Sequence, residues 1–119
     1  MSKPTTPQGL GRKARRLWRG ITTVYELRPD EARVLEDACR EIDLIERLEE
    51  ELAKPETDLI VHGSMGQPVA NPLVQEIRQH RATLRQLLAS LKLPDDEGGQ
   101  VDASTQAREA AARRWRRGA

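Results

Sequence analysis

Apolar residues recur at helical spacing in three stretches of the chain, and Pro, Gly and Asn separate them. Leu10, Ala14, Leu17, Trp18 and Ile21 form the first stripe, with Arg12, Arg15, Arg16 and Arg19 turned away from it. That is the pattern of a helix buried along one side, and it predicts a helix over about residues 10–22. Two β-branched threonines, Val24 and Tyr25 then carry the chain to Leu27. The second stripe is Leu35, Ala38, Ile42, Ile45, Leu48 and Leu52, spaced 3, 4, 3, 3 and 4. Pro29 suits a first helical position, where its missing N–H has no helical partner to lose, and Asp30 and Glu31 favour the positive end of the helix. Lys54-Pro55 stops the pattern, so the helix is expected over residues 29–53, about 37 Å at 1.5 Å per residue.

The third stripe is Leu73, Ile77, His80, Leu84, Leu87 and Leu91, spaced 4, 3, 4, 3 and 4, with Val74 and Leu88 widening it. Asn71 is a good N-cap and Pro72 a good first residue for this helix, and Leu93-Pro94 ends it. The seam is heptad-like and long enough to lie antiparallel against the second helix. Between the two, Leu59-Ile60-Val61, a His-Gly-Ser-Met-Gly-Gln stretch and Pro68-Val69-Ala70 read as a short β-hairpin or an extended loop. A lone two-stranded hairpin is marginal in water, so an ordered one has to lean on the helices or on a neighbouring subunit. Residues 95–103 read as a Gly/Asp linker, and Ser104 is placed to cap a last Ala-rich helix reaching Arg117, marginal alone at that length.

The expected organisation is a flexible arm over residues 1–9, a helical domain over 10–93, and a linker with a basic C-terminal helix over 94–119. The fold class is all-α: a long antiparallel helical hairpin with a short β-hairpin or extended insert, preceded by a basic helix. Each helix of such a hairpin covers only part of its partner's stripe, and the first helix covers some of the rest. The uncovered remainder argues for self-association. Ile42, Ile45, Leu48, Leu52, Ile77, His80, Leu84 and Leu87 are the expected oligomer-interface positions.

Composition sharpens this picture. The chain has 119 residues, 33% of them charged, and only Trp18, Tyr25 and Trp115 are aromatic; its mean hydropathy is −0.70. That is little bulky apolar material for a large private core, and it suits long helices that share a core between copies. No apolar run approaches the ~20 residues of a membrane span, and no signal-peptide core follows Met1. Cys39 is the single cysteine, which makes a reducing compartment the default expectation.

The net charge of +1 hides segregation: residues 1–28 carry seven Lys/Arg and one acid, residues 29–58 carry four and twelve. A basic helix ahead of an acidic one points to different partners for different surfaces. Arg12, Lys13, Arg15, Arg16 and Arg19 lie within eight residues, beside an arm that also holds Lys3. Such density neutralises phosphates, and repetition around an oligomer multiplies the contacts; basic helices also serve as solvated surfaces or bind acidic proteins. A helix-turn-helix reader is less attractive, since its recognition helix would be the acidic second one, repelled by a duplex backbone. Arg108, Arg113, Arg114, Trp115, Arg116 and Arg117 make a second basic patch with an aromatic anchor. It can contact DNA, dock on a partner, or remain a frayed tail.

Catalysis finds little support. His62 and His80 fall in different elements, Cys39 lies in an apolar sector, and no cluster has zinc-ligand spacing. The carboxylates run around a helix surface, without a setting that raises a pKa for acid–base work. Gly63-Ser64-Met65-Gly66 is not followed by the Gly-Lys-Ser/Thr of a phosphate loop. The chain is therefore expected not to be an enzyme, and to hold no cofactor or metal. His80 on an apolar seam is expected to be a packed histidine with a hydrogen-bonding neighbour, and Trp18 to be core.

Several short pieces stand in an order that resembles a known family. They are the Gly11-Arg12-Lys13 start, Leu17-Trp18, the junction from Tyr25-Glu26-Leu27 to Pro29-Asp30-Glu31, and Ala38-Cys39. After them come Gly66-Gln67, Asn71-Pro72-Leu73, Arg78, Arg81 and the Leu-rich stretch 87–93. Over residues 11–94 the chain resembles the small terminase subunit of tailed bacteriophages. The resemblance implies a ring-shaped homo-oligomer, with a nonamer as the working value. Such a ring recognises double-stranded viral DNA in the host bacterial cytoplasm and delivers it to the large terminase subunit, which holds the ATPase and nuclease. It maps the oligomer core onto the second and third helices, DNA binding onto Arg12, Lys13, Arg15, Arg16 and Arg19, and docking on the large subunit onto Arg113, Arg114, Trp115 and Arg116. Many members carry a separate N-terminal helix-turn-helix domain for which this chain is expected to have no room. The residues alone also admit a helical coiled-coil adaptor that binds only proteins, or a small dimeric DNA-binding regulator.

Overall fold

The computed structural model describes residues 3–94. The expected C-terminal helix, with Arg113, Arg114, Trp115 and Arg116, lies outside the described residues. The described chain is mainly helical: α1 (Arg12–Val24), α2 (Pro29–Leu52), β1 (Ile60–His62), β2 (Pro68–Ala70) and α3 (Pro72–Leu91). The antiparallel helical hairpin and the preceding basic helix occur as the patterning predicts, and the insert takes the β-hairpin rather than the extended-loop form.

The proline punctuation sets both long helices. At α2, Pro29 opens the helix and Glu31 reaches back to accept the Arg28 N–H at 2.8 Å, satisfying a donor at the helix entry. At α3, Asn71 acts twice. Its side-chain oxygen accepts the Leu73 N–H at 2.9 Å, and its amide donates to Asp58 O at 2.8 Å, so one residue caps the helix and closes the insert behind it. Lys92, with φ 52°, takes the left-handed conformation at the end of α3, and Leu93 beyond it packs on the core.

The insert is an antiparallel pair with the register Ile60↔Ala70, Val61↔Val69 and His62↔Pro68. Its turn is closed by Gly66 N–H to Gly63 O at 3.0 Å, with Gly66 at φ +80°, a backbone region in which glycine is unstrained.

The first helix starts and ends two residues later than the stripe suggests. Leu10 is buried but precedes the helix. The helix runs through β-branched Thr22, Thr23 and Val24, where the Thr22 hydroxyl donates to Trp18 O at 2.9 Å, a bond that satisfies a buried hydroxyl inside a helix.

The core forms where all three helices meet. Leu10, Ala14, Trp18, Tyr25 and Leu27 from the first segment enclose Leu35 and Cys39 of α2 and Leu91 of α3. Full burial of one such side chain as Leu35 is worth about 2 kcal/mol. Tyr25 fastens the assembly, its hydroxyl donating to Pro94 O at 2.8 Å across 69 positions of sequence. Gln8, expected in the arm, lies against α2, where Arg40 donates to its carbonyl O at 2.9 Å.

Candidate nucleic-acid interface

Helix α1 is oriented by its buried side. Ala14, Trp18 and Thr22, at i, i+4 and i+8, face the core, and Trp18 is only 3% exposed. At 100° per residue, Arg12, Arg15, Arg16 and Arg19 then occupy one arc on the far side, with Lys13 on its flank. All five are exposed. Among the described residues none of them has an ion-pair partner. Arg12 and Arg19 are about 10 Å apart along the helix axis at 1.5 Å per residue, so the arc presents a short ridge of cations. Trp18 stands on the opposite side, in the core, and is not available for base stacking.

The ridge is held in place by α2. Both Asp43 carboxylate oxygens accept the Gly11 N–H, at 3.0 and 3.1 Å, so the amino end of α1 is capped from another helix. A Cβ at residue 11 would lie 2.7 Å from Asp43 Oδ1, and glycine is what allows this approach. Deeper in, the Cys39 thiol donates to Ala14 O at 3.4 Å. Burial, and next the nearby Asp43 carboxylate, push that thiol from 9.0 up to about 11, which leaves it protonated and inert at neutral pH.

The expected oligomer seam divides in two. Ile45 and Ile77 are 7% and 6% exposed within one chain, so they pack α2 on α3 and offer little surface to another copy. Ile42, Leu48, Leu52, His80, Leu84 and Leu87 are half-buried and retain apolar surface. His80 is the satisfied histidine expected of its position. Its Nδ1 lies 2.7 Å from Glu41 Oε2 on α2, and its Nε2 3.5 Å from Glu76 Oε2. Arg81 pairs with Glu49 across the same two helices. Past the amino end of α1, an open groove of about 370 Å³ lies between α2 and α3, with Leu52, Val74 and Ile77 on its walls.

The roles of Asp43 and Glu41 had no sequence signal beyond their place in the acidic block, and that of Glu76, the one acid of α3, had none; Glu31, three residues after a helix entry, had a local cue. Among the described residues, no three His, Cys, Asp or Glu side chains are grouped to hold a metal ion, and no helix is long and apolar enough to cross a membrane. No protein-family model matches the chain, and comparison with curated proteins and with solved structures yields no match.

Proposed function

We propose that this chain is the small terminase subunit of a tailed phage, a ring homo-oligomer that binds double-stranded viral DNA and recruits or regulates the large terminase ATPase/nuclease inside the infected bacterium. The observation that carries the reading is the arc of Arg12, Arg15, Arg16 and Arg19, flanked by Lys13, exposed and without ion-pair partners among the described residues. Unpaired cations on a rigid helix keep their full attraction for phosphate, and ring symmetry multiplies it by the copy number. The order of short motifs over residues 11–94 and the half-buried leucines of α2 and α3 support the same reading.

The chain's part in packaging is binding rather than catalysis: backbone contacts give affinity with little sequence reading. The test is double-stranded DNA binding over a salt series, comparing the native chain with a variant carrying Ala at residues 12, 13, 15, 16 and 19. The native protein is expected to bind with a steep salt dependence. The variant is expected to bind weakly, its slope flattened by close to one unit for each phosphate contact removed. Equal affinity and slope for the two proteins would remove α1 from the DNA-binding role.

A further inference from the structure

Each strand of the β-hairpin keeps one edge free. Asn71 N–H donates to Leu59 O and Gly63 N–H to Gln67 O, both at 2.7 Å, and the Val61↔Val69 pair lies midway between them. These mark the pairs that exchange backbone hydrogen bonds within the hairpin. Antiparallel pairing alternates, so the intervening residues Ile60, His62, Pro68 and Ala70 direct their backbone groups outward. The two edges differ. β1 presents the N–H and C=O of both Ile60 and His62, whereas β2 lacks a donor at Pro68, which sits where a strand tolerates proline. The three-residue β1 edge has no Lys, Pro or bulge to blunt it, and its Ile60 and the preceding Leu59 are each 60% exposed. An apolar edge of this kind is a template for another strand.

We propose that the β1 edge pairs with the β2 edge of a second copy of this chain, joining the hairpins of successive copies into one continuous sheet. The inference rests on the ring reading and names a contact that closes the ring. Charge selects the occupant. β1 follows α2 and β2 leads into α3, so β1 laid beside a neighbour's β2 brings α2 towards the neighbour's α3. α2 carries ten acids and three arginines, and α3 three arginines and one acid. Arg78 and Arg85 of α3 are exposed and have no ion-pair partner among the described residues. Opposite charges therefore meet in this arrangement. Pairing β1 with β1 about a two-fold axis would bring α2 towards α2, acid to acid. The favoured contact is head-to-tail, the type that closes into a ring when the rotation per copy allows, and the covered edge also relieves the marginal stability of a two-stranded hairpin.

Amide hydrogen exchange on the full-length assembled protein reads the edge directly. The Ile60 and His62 N–H groups have no partner inside the hairpin, so pairing with a neighbour is expected to slow their exchange by about tenfold or more. Ile60→Pro removes an outward N–H and no bond within the hairpin, and is expected to lower the native mass. Free exchange at both amides in an assembled native protein, or a folded Ile60→Pro variant of unchanged native mass, would overturn edge pairing and leave the ring reading standing. A native chain that does not assemble would overturn both. Should circular dichroism show that Ile60→Pro is unfolded, the exchange measurement on the native protein decides alone.

Discussion

Asp43 of α2 caps α1 from outside it, its carboxylate accepting the Gly11 N–H through both oxygens at 3.0 and 3.1 Å. One short side chain thereby fixes where the basic helix begins and how it lies on the acidic one. Asp43→Ala is expected to destabilise the fold by about 1.5–3 kcal/mol, the usual loss on removing a hydrogen bond to a charged group. Gly11→Ala should have a similar effect, because its Cβ would meet Asp43 Oδ1 at 2.7 Å and push the carboxylate off the N–H. Thermal unfolding at fixed protein concentration measures both. A variant pair as stable as the native protein would show that the cap contributes nothing.

Tyr25 closes the other end. Tyr25→Phe removes the hydroxyl that donates to Pro94 O at 2.8 Å and keeps the ring in the core. The expected loss is about 1 kcal/mol, with faster amide exchange around residues 91–94 as the local signature.

Cys39 gives a chemical reading of the core. It is the single cysteine of the chain, so any thiol signal is its own. Because burial raises its pKa from 9.0 to about 11, the folded state holds the thiol proton more tightly than the unfolded state does. Its contribution to stability is therefore full below about pH 9 and is lost as pH rises through about 11. At pH 7–8 a thiol reagent is expected to label the native protein at the rate of unfolding, and denaturant is expected to release fast labelling. Rapid labelling of the native protein at pH 7 would contradict the packing of α1 on α2.

Much of this fold was legible because its signals are local. Pro29 and Asn71-Pro72 mark helix starts through groups within three residues of them, and the stripes of α2 and α3 name the packed faces. Gly63 and Gly66 flanked by short apolar runs narrowed the insert to a β-hairpin or an extended loop, and the pairing of Ile60–His62 with Pro68–Ala70 decides for the hairpin. The start of α1 was not legible, because its cap, Asp43, lies 32 positions away. The Tyr25–Pro94 bond was hidden for the same reason. The basic arc could be read because charge at helical spacing is local, and the structure adds which side is buried. The seam was legible only as apolar: which positions close α2 on α3, as Ile45 and Ile77 do, depends on the relative rotation of two helices.

The half-buried leucines make a separate prediction. Leu48→Ser together with Leu87→Ser removes apolar surface from the seam while Ile45 and Ile77 keep the two helices packed. The variant is expected to retain its helicity by circular dichroism and to assemble at higher protein concentration than the native chain. An unchanged assembly threshold would place the contact between copies elsewhere.

The measurement that bears most directly on the central claim is native mass, by light scattering after size exclusion at low and high salt. A DNA-recognition ring predicts a closed oligomer of many copies whose mass does not change with protein concentration. A stable monomer or dimer at both salt concentrations would contradict it.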